Sequence, residues 1–475
     1  MKRSWLLALL MAGSLVALNS PAFAKDDDSM DAQEDVNAAI GSLSKKVNDL
    51  ESKGPSVEIH GFVQSDYISD STQSFNETVG DGNVQIGNGK TTPAGDNGFS
   101  QFSLRNSRIS LLAKESAADW TFKGYIETDF LGATNNPEYK VYTQPTLRLR
   151  HAYVQGDQND GWQVLAGQWW TLFGWNMDYT LNTVAEPPVM ATLYERIPQL
   201  RIQKTFGDAT GMQLQVAISA EKPDQDISQV PTQDAGIRFL LNDIKGHYAS
   251  STGASKMMPL SLGISGRNAL YVWGSGLNGS GTASDNLNNS IWASAVAGDI
   301  LLPVLPAADG KDDPSIVITG EGTYGSGDVL PFNGGGFGGF AKLPSAYAGG
   351  APTYTGAAPF TSVDNGGVVS VGGGLTPLQI QSYNGQIQIF LPPSIGTIFT
   401  GGYGEIYLSN SGSLGAAALN SATIYNDDSN WFVNVMQDVT KNTRVALEFD
   451  QFITHYTNAQ TPTDNRLQLS TWYRF

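Results

Sequence analysis

The sequence predicts an all-β fold: a transmembrane antiparallel β-barrel of about 16 strands, preceded by a short N-terminal α-helical coiled coil. Three observations carry this. From Val57 onward apolar and polar residues alternate with period two; long and short connections alternate between those segments; and the chain closes on an alternating strand that ends in Phe475. Period two is the signature of a strand whose two faces meet different surroundings.

Taken in order, Lys2 and Arg3 precede an apolar run from Trp5 to Leu18 and then Ala22-Phe23-Ala24. A basic start, a short apolar core and a small-x-small site describe a secretory signal peptide over residues 1–24. The run is too short for a spanning helix, which needs ~20 apolar residues. The chain has no cysteine, so neither a disulfide framework nor a lipidated cysteine is expected. Residues 25–54 then carry Val36, Ile40, Leu43, Val47 and Leu50 at 4-3-4-3 spacing, a heptad seam ended by Gly54-Pro55. Ile40 and Val47 take position a with leucines at d, a choice that leans towards two strands rather than three. A single amphipathic helix lying on its own barrel is the alternative.

Residues 55–475 make up the barrel. In the closing segment Leu467, Leu469, Tyr473 and Phe475 share one face, and Arg466, Gln468, Ser470, Trp472 and Arg474 the other. Outer-membrane barrels end this way because the terminal aromatic sits in the interfacial girdle. The same alternation recurs around Trp120–Phe130, Met212–Ser219 and Arg444–Asp450. Sixteen candidate strands centre near 61, 109, 125, 151, 164, 203, 216, 238, 266, 295, 319, 386, 402, 435, 447 and 470. Connections after odd-numbered strands are long (67–103, 131–145, 169–198, 221–233, 274–288, 325–381, 408–429, 452–465). Those after even-numbered strands are mostly short, with 242–259 and 302–314 breaking the rule. Such alternation fits periplasmic turns and outer loops with both termini periplasmic. The Gly-rich stretch 333–373 reads as part of one outer loop, since dense glycine rarely holds a spanning strand.

Charge narrows the function. The net charge is -17, and removing Lys2 and Arg3 with the signal gives -17 - 2 = -19. That balance argues against nucleic acid as a partner. Charged residues make up only 15% of the chain while Phe, Tyr and Trp reach 10%; a soluble acidic enzyme carries about a quarter charged residues. Within the barrel, positive charges recur opposite apolar faces at Arg148 and Arg150, at Arg201 and at Arg238, with Lys123 on the polar face of its strand. Around Arg105 the parity slips, and a β-bulge near Asn106 would turn both Arg105 and Arg108 inward. These residues form a candidate anion-binding wall, because guanidinium groups grip carboxylate or phosphate at two points. Glu186 and Glu195, in the 169–198 loop, are candidate acids facing that wall at a constriction. The competing reading pairs the arginines with neighbouring acids such as Glu127, Asp129, Glu448 and Asp450 merely to satisfy buried charge. Trp169, Trp170, Phe173 and Trp175 fit either loop packing or a stacking track for sugars.

Gly167-Gln168-Trp169-Trp170-Thr171-Leu172-Phe173-Gly174 resembles the Gly-Gln-x-x-Thr-x-Phe signature of the DcaP-like outer-membrane porins. The endings Asn442–Phe449 and Leu467–Phe475, and the heptad helix before the barrel, are similar to that family as well. The resemblance covers most of the chain after residue 24 in layout and a few motifs in detail. It implies a homotrimer in the bacterial outer membrane, with its N-terminal helix in the periplasm, that contacts lipid and lipopolysaccharide. It also implies passive passage of small anionic solutes such as dicarboxylates. The Gly-rich insertion and the 242–259 connection depart from the family.

A channel for neutral solutes such as sugars and a closed structural or adhesive barrel are the competing functions. An enzyme is not expected: His60, His151, His247 and His455 are scattered, and no nucleophile elbow appears. No cofactor or metal is expected either, since no ligand spacing is present.

Overall fold

The computed structural model describes residues 55–79, 83–84, 97–132, 146–186, 190–223, 228–250, 252–273, 289–327, 360–363, 368–371, 374–414 and 425–475. The expected signal peptide and coiled coil lie outside the described residues. The strands are β1 (Ser56–Asp70), β2 (Phe99–Ser103), β3 (Arg108–Ala117), β4 (Trp120–Gly132), β5 (Thr146–Gln158), β6 (Trp162–Trp170), β7 (Arg196–Gly207), β8 (Met212–Glu221), β9 (Thr232–Tyr248) and β10 (Lys256–Trp273). They continue with β11 (Asn289–Leu305), β12 (Ser315–Ser326), β13 (Phe360–Val363), β14 (Val368–Val371), β15 (Gly374–Pro377), β16 (Gln379–Phe390), β17 (Thr397–Leu408), β18 (Tyr425–Asp438), β19 (Thr443–Tyr456) and β20 (Thr463–Arg474).

Seventeen of these form one sheet. β2 and β3 both pair with β1 and are two halves of one stave, so the barrel has 17 - 1 = 16 staves. It closes where β1 meets β20, with Phe62 opposite Arg474 and Asp70 opposite Arg466. Phe475 and Gly61 exchange backbone hydrogen bonds of 3.1 and 3.0 Å across this seam. A Cβ at Gly61 would stand 2.4 Å from the Arg108 carbonyl oxygen, which explains a glycine at the closing point. Each predicted strand centre falls inside one stave. The barrel is inside-out: Leu467, Leu469, Tyr473 and Phe475 are exposed, whereas Arg466, Gln468, Ser470 and Trp472 are wholly buried.

Among the bulges, three bear on the interior. Asp66 faces Ser103 and Phe62 faces Arg108, so four steps on β1 oppose five on β2–β3, the extra residue anticipated near Asn106. On β5, Glu127 faces His151 while Thr128 faces Leu149, leaving Arg150 as an extra residue. The largest irregularity lies on β9, where Leu260 faces Leu241 but Pro259 faces Lys245. That kink answers the first exception to the connection rule. Past it, β9 pairs with β10 again and leaves only residues 249–255 as the turn. The second exception shrinks likewise, since β11 runs to Leu305. The connection expected over 452–465 is short, because β19 continues to Tyr456. Within the Gly-rich stretch, β13 and β14 join β15 in a separate three-stranded sheet. Val368-Val369-Ser370-Val371 supplies the β-branched residues that glycine lacks.

Candidate functional site: the barrel interior

The 171–195 connection between β6 and β7 folds into the barrel, and buried wall acids hold it there. The Thr171 hydroxyl donates to Asp234 Oδ2 at 2.9 Å, and the Leu172 amide donates to Glu221 Oε1 at 3.2 Å. Gly174, at φ 72°, makes the turn that lets its amide reach Ser265 Oγ at 2.7 Å. A side chain there would run into Leu193. The loop then crosses to the far wall. Asn182 N donates to Gln386 Oε1 at 2.7 Å, and the Val184 and Ala185 amides donate to Glu448 Oε1 at 2.7 and 2.6 Å. Returning, Met190 N reaches Asn430 Oδ1 at 2.7 Å and Leu193 N reaches Glu321 Oε1 at 3.1 Å. Carboxylates that accept main-chain amides take the place of the missing sheet partners of an inward loop.

From the short-turn end a second segment reaches inward. Below the β9 kink, the Lys245–Pro259 hairpin tip turns across the mouth. Gln388 grips Ala249 through its amide and carbonyl at 3.0 and 2.9 Å. Arg444 Nη1 donates to the carbonyls of Ser250 and Gly253 at 3.2 and 3.1 Å. Ala249 and Val184, the tip of the inward loop, join one apolar cluster with Phe62, Phe390, Met436 and Trp472. The Tyr248 hydroxyl also donates to the Thr180 carbonyl. Loop and hairpin thus fill the half of the interior under β9–β20 and β1.

What stays wetted is the wall from β3 to β8. Inward residues there, including Lys123, Tyr125, Tyr153, Gln155, Gln163, Trp169 and Gln215, are only half-buried. Arg148 is 40% exposed over Asp129, which is 1% exposed and takes both its Nε and Nη2. Lys123 meets Asp157 at 2.6 Å. Arg150 is buried between Glu127 at 2.7 Å and Asp129 at 3.0 Å. Arg105 is held by Glu77 at 2.7 Å and Arg108 by Glu186. Arg201 donates to Gln199 Oε1 and the Trp170 carbonyl, while Arg238 donates to Gln215 and lies 5.1 Å over the Trp175 ring. The predicted cations therefore gather on one side of the interior, on five staves: β2–β3, β4, β5, β7 and β9.

The two predicted loop acids do not stand across an open gap from this wall. Glu186 closes directly on Arg108 and accepts from Tyr194, and Glu195 pairs at 3.1 Å with Arg267 on β10. The reason is desolvation: a loop buried in the interior cannot keep an uncompensated carboxylate. Burial alone would raise the Glu186 carboxyl, but Arg108, Arg150 and the Tyr194 hydroxyl outweigh it and lower it to about 2. A depressed carboxylate contributes its docking energy fully above the ~4.3 of free glutamate. That contribution declines below this point and is gone once pH falls through about 2. Conductance in bilayers is expected to be the same at about pH 7 and about pH 5, with loop-release flicker only in stronger acid. Flicker that begins above about pH 5 would show that one of the loop's other anchors, and not the Glu186–Arg108 pair, releases first.

Sequence reasoning missed Arg196, Arg267, Arg444 and Arg466. Arg267 is fully buried against Glu195, Glu221 and Asp234, and Arg466 is paired at 2.7 Å with Asp70. Polar-face parity was a signal for Arg444 and Arg466; for Arg196 and Arg267 only the three-dimensional path of the inward loop reveals the role. Of the tryptophans, Trp175 belongs to the inward loop and joins the apolar cluster of Ala217, Tyr248, Leu301 and Val317, whereas Trp169 stands on the wetted wall 4.8 Å from Tyr153 and 6.2 Å from Tyr125. Among the described residues no group of three His, Asp or Glu is placed to hold a metal ion.

No protein-family model matches the chain, and no curated protein matches it significantly in sequence. Solved structures do match. The outer membrane channel DcaP of Acinetobacter baumannii superposes with a TM-score of 0.58 at 18% identity, covering 89% of this chain and 98% of that one. Salmonella typhi OmpF, in a complex with daunomycin, gives 0.50 at 10% identity over 89% and 99%. At these identities the likeness concerns architecture, and it agrees with the stave count and closure above: the chain has the closed sixteen-stranded barrel fold of outer-membrane channels of the DcaP kind.

Proposed function

We propose that the protein is an outer-membrane porin of the DcaP kind that passes small hydrophilic solutes by diffusion and favours anions such as dicarboxylates. The observation that carries this is the asymmetry of the interior. One half is sealed by loop and hairpin, and the wetted wall presents Arg148 and Lys123 above better-buried or equally buried acids. A guanidinium exposed over a buried carboxylate keeps its outer edge for a solute. In this reading residues 1–24 direct export, and the 25–54 helix sits in the periplasm and joins three copies. The short turns face the periplasm, and the apolar outer face meets lipid and lipopolysaccharide. No enzyme chemistry is proposed.

The test is single-channel recording in planar bilayers under a potassium chloride gradient. Anion preference in the wild type, lowered about threefold in an Arg148→Ala/Arg150→Ala variant, is expected, since an exposed charge interaction is worth ~0.5–1 kcal/mol. No conductance from folded, heat-modifiable protein would sink the channel reading in favour of a closed structural barrel. The Tyr125–Tyr153–Trp169 ring platform favours a second reading, a channel for neutral sugars. Faster liposome swelling with sugars than with dicarboxylates of similar size would select it.

A further inference from the structure

We propose that Arg196 is the residue that sets anion preference, by offering a passing carboxylate a guanidinium with which no carboxylate among the described residues forms an ion pair. The inference rests on the channel reading above. Arg196 opens β7 at the foot of the inward loop. Its guanidinium lies 5.3 Å from the Trp170 ring centre and 5.7 Å from that of Tyr194, within electrostatic reach of Arg150, Arg148 and Arg108. Those three are spoken for: Arg108 by Glu186, Arg148 by Asp129, and Arg150 by Glu127 and Asp129. Four arginines thus meet three acids, a local balance of 4 - 3 = +1, and the surplus belongs to Arg196.

Among the described residues no carboxylate forms an ion pair or hydrogen bond with Arg196; Glu186 feels its charge but is closed on Arg108. The Arg196 Nη1, shut from solvent, has no hydrogen-bond acceptor. Native interiors seldom leave such a donor without use. The residue as a whole keeps partial exposure, and the exposed Arg148 of the wetted wall lies within its electrostatic reach. The two rings hold its plane by cation–π contact, which leaves the edge of the fork for a carboxylate. Arg105 and Arg150, by contrast, spend their donors on the barrel itself. The expected ladder of equivalent arginines becomes one step without an ion pair, Arg196, beside the exposed but acid-paired Arg148.

The experiment compares full-length wild type with Arg196→Gln and Arg196→Lys in planar bilayers, using potassium chloride and then potassium acetate gradients. Arg196→Gln is expected to cut anion-over-cation permeability about fivefold, the factor for ~1 kcal/mol between unit charges roughly 4 Å apart in watery surroundings. Arg196→Lys is expected to restore chloride preference but not the wild-type acetate-to-chloride ratio, because a point charge lacks the fork. Unchanged reversal potentials in Arg196→Gln, with a shift in Arg148→Gln, would overturn the proposal and leave the channel reading standing. A wild type without conductance or with cation preference would overturn both.

Discussion

Glu448→Ala is expected to give a wider and noisier channel than the wild type, although Glu448 forms no ion pair with any of the predicted cations. Its carboxylate is wholly buried on β19 and accepts the amides of Val184 and Ala185 at the tip of the inward loop, while Asn434 Nδ2 donates to it at 2.8 Å. Truncation leaves two main-chain donors without acceptors, at about 1–3 kcal/mol each. The tip lowers that cost by leaving the wall and finding water. Since the tip also covers Phe62, Met436 and Trp472, its departure opens the sealed half of the interior. Glu448→Gln keeps one acceptor oxygen and is expected to stay near wild type. Single-channel recording of the two variants decides it: equal conductance in Glu448→Ala and wild type would mean that the remaining anchors, Asn182, Met190 and Leu193 among them, hold the tip without Glu448.

The walls of the barrel were legible because lipid and lumen impose opposite chemistry on neighbouring residues. Period two marks a strand even where, as near 266 and 295, glycine and serine weaken the pattern. The slip around Arg105 was legible for the same reason, since an extra residue reverses parity and leaves a trace in the apolar spacing. The interior was not. Parity turns Glu448 inward but does not tell whether it meets an arginine or the amides of a loop 264 residues away. Glu186 and Glu195 were recognised as loop acids, yet their partners Arg108 and Arg267 lie on staves far from one another in sequence. Arg196 looked like the end of a loop, because its importance comes from what is absent around it. A missing partner leaves no mark in a sequence.

Strand ends failed for a different reason. The β9 kink inserts residues 242–244 without pairing, which breaks the alternation that would have shown the strand continuing to Tyr248. The kink is itself functional in effect, because it aims the hairpin tip across the mouth. His247 N donates to Ser315 Oγ at 3.1 Å, and Gly246 packs so closely on Val317 that a Cβ would lie 2.5 Å from its Cγ2.

The second large effect is therefore expected at Arg444, which clamps that tip from the opposite wall. It is wholly buried, takes Asp438 through Nε and Nη2 at 2.7 and 2.8 Å, and donates Nη1 to two carbonyls of the tip. Charged hydrogen bonds of this kind contribute about 1.5–3 kcal/mol each. Arg444→Ala removes both clamps to the tip and leaves Asp438 to the weaker contact with Arg474 at 3.6 Å. The tip would then be held chiefly by Gln388, and through Tyr248 the inward loop would loosen with it. Higher conductance is expected together with a weaker anion preference, since the newly opened half is walled by Asp66, Glu448 and Asp450. Arg444→Lys, which reaches one partner at a time, is expected to fall between. The sign of the selectivity change is what discriminates: a widened channel with stronger anion preference would mean that the added path runs along the arginine wall, and that the hairpin seals the cationic side instead of the acidic one.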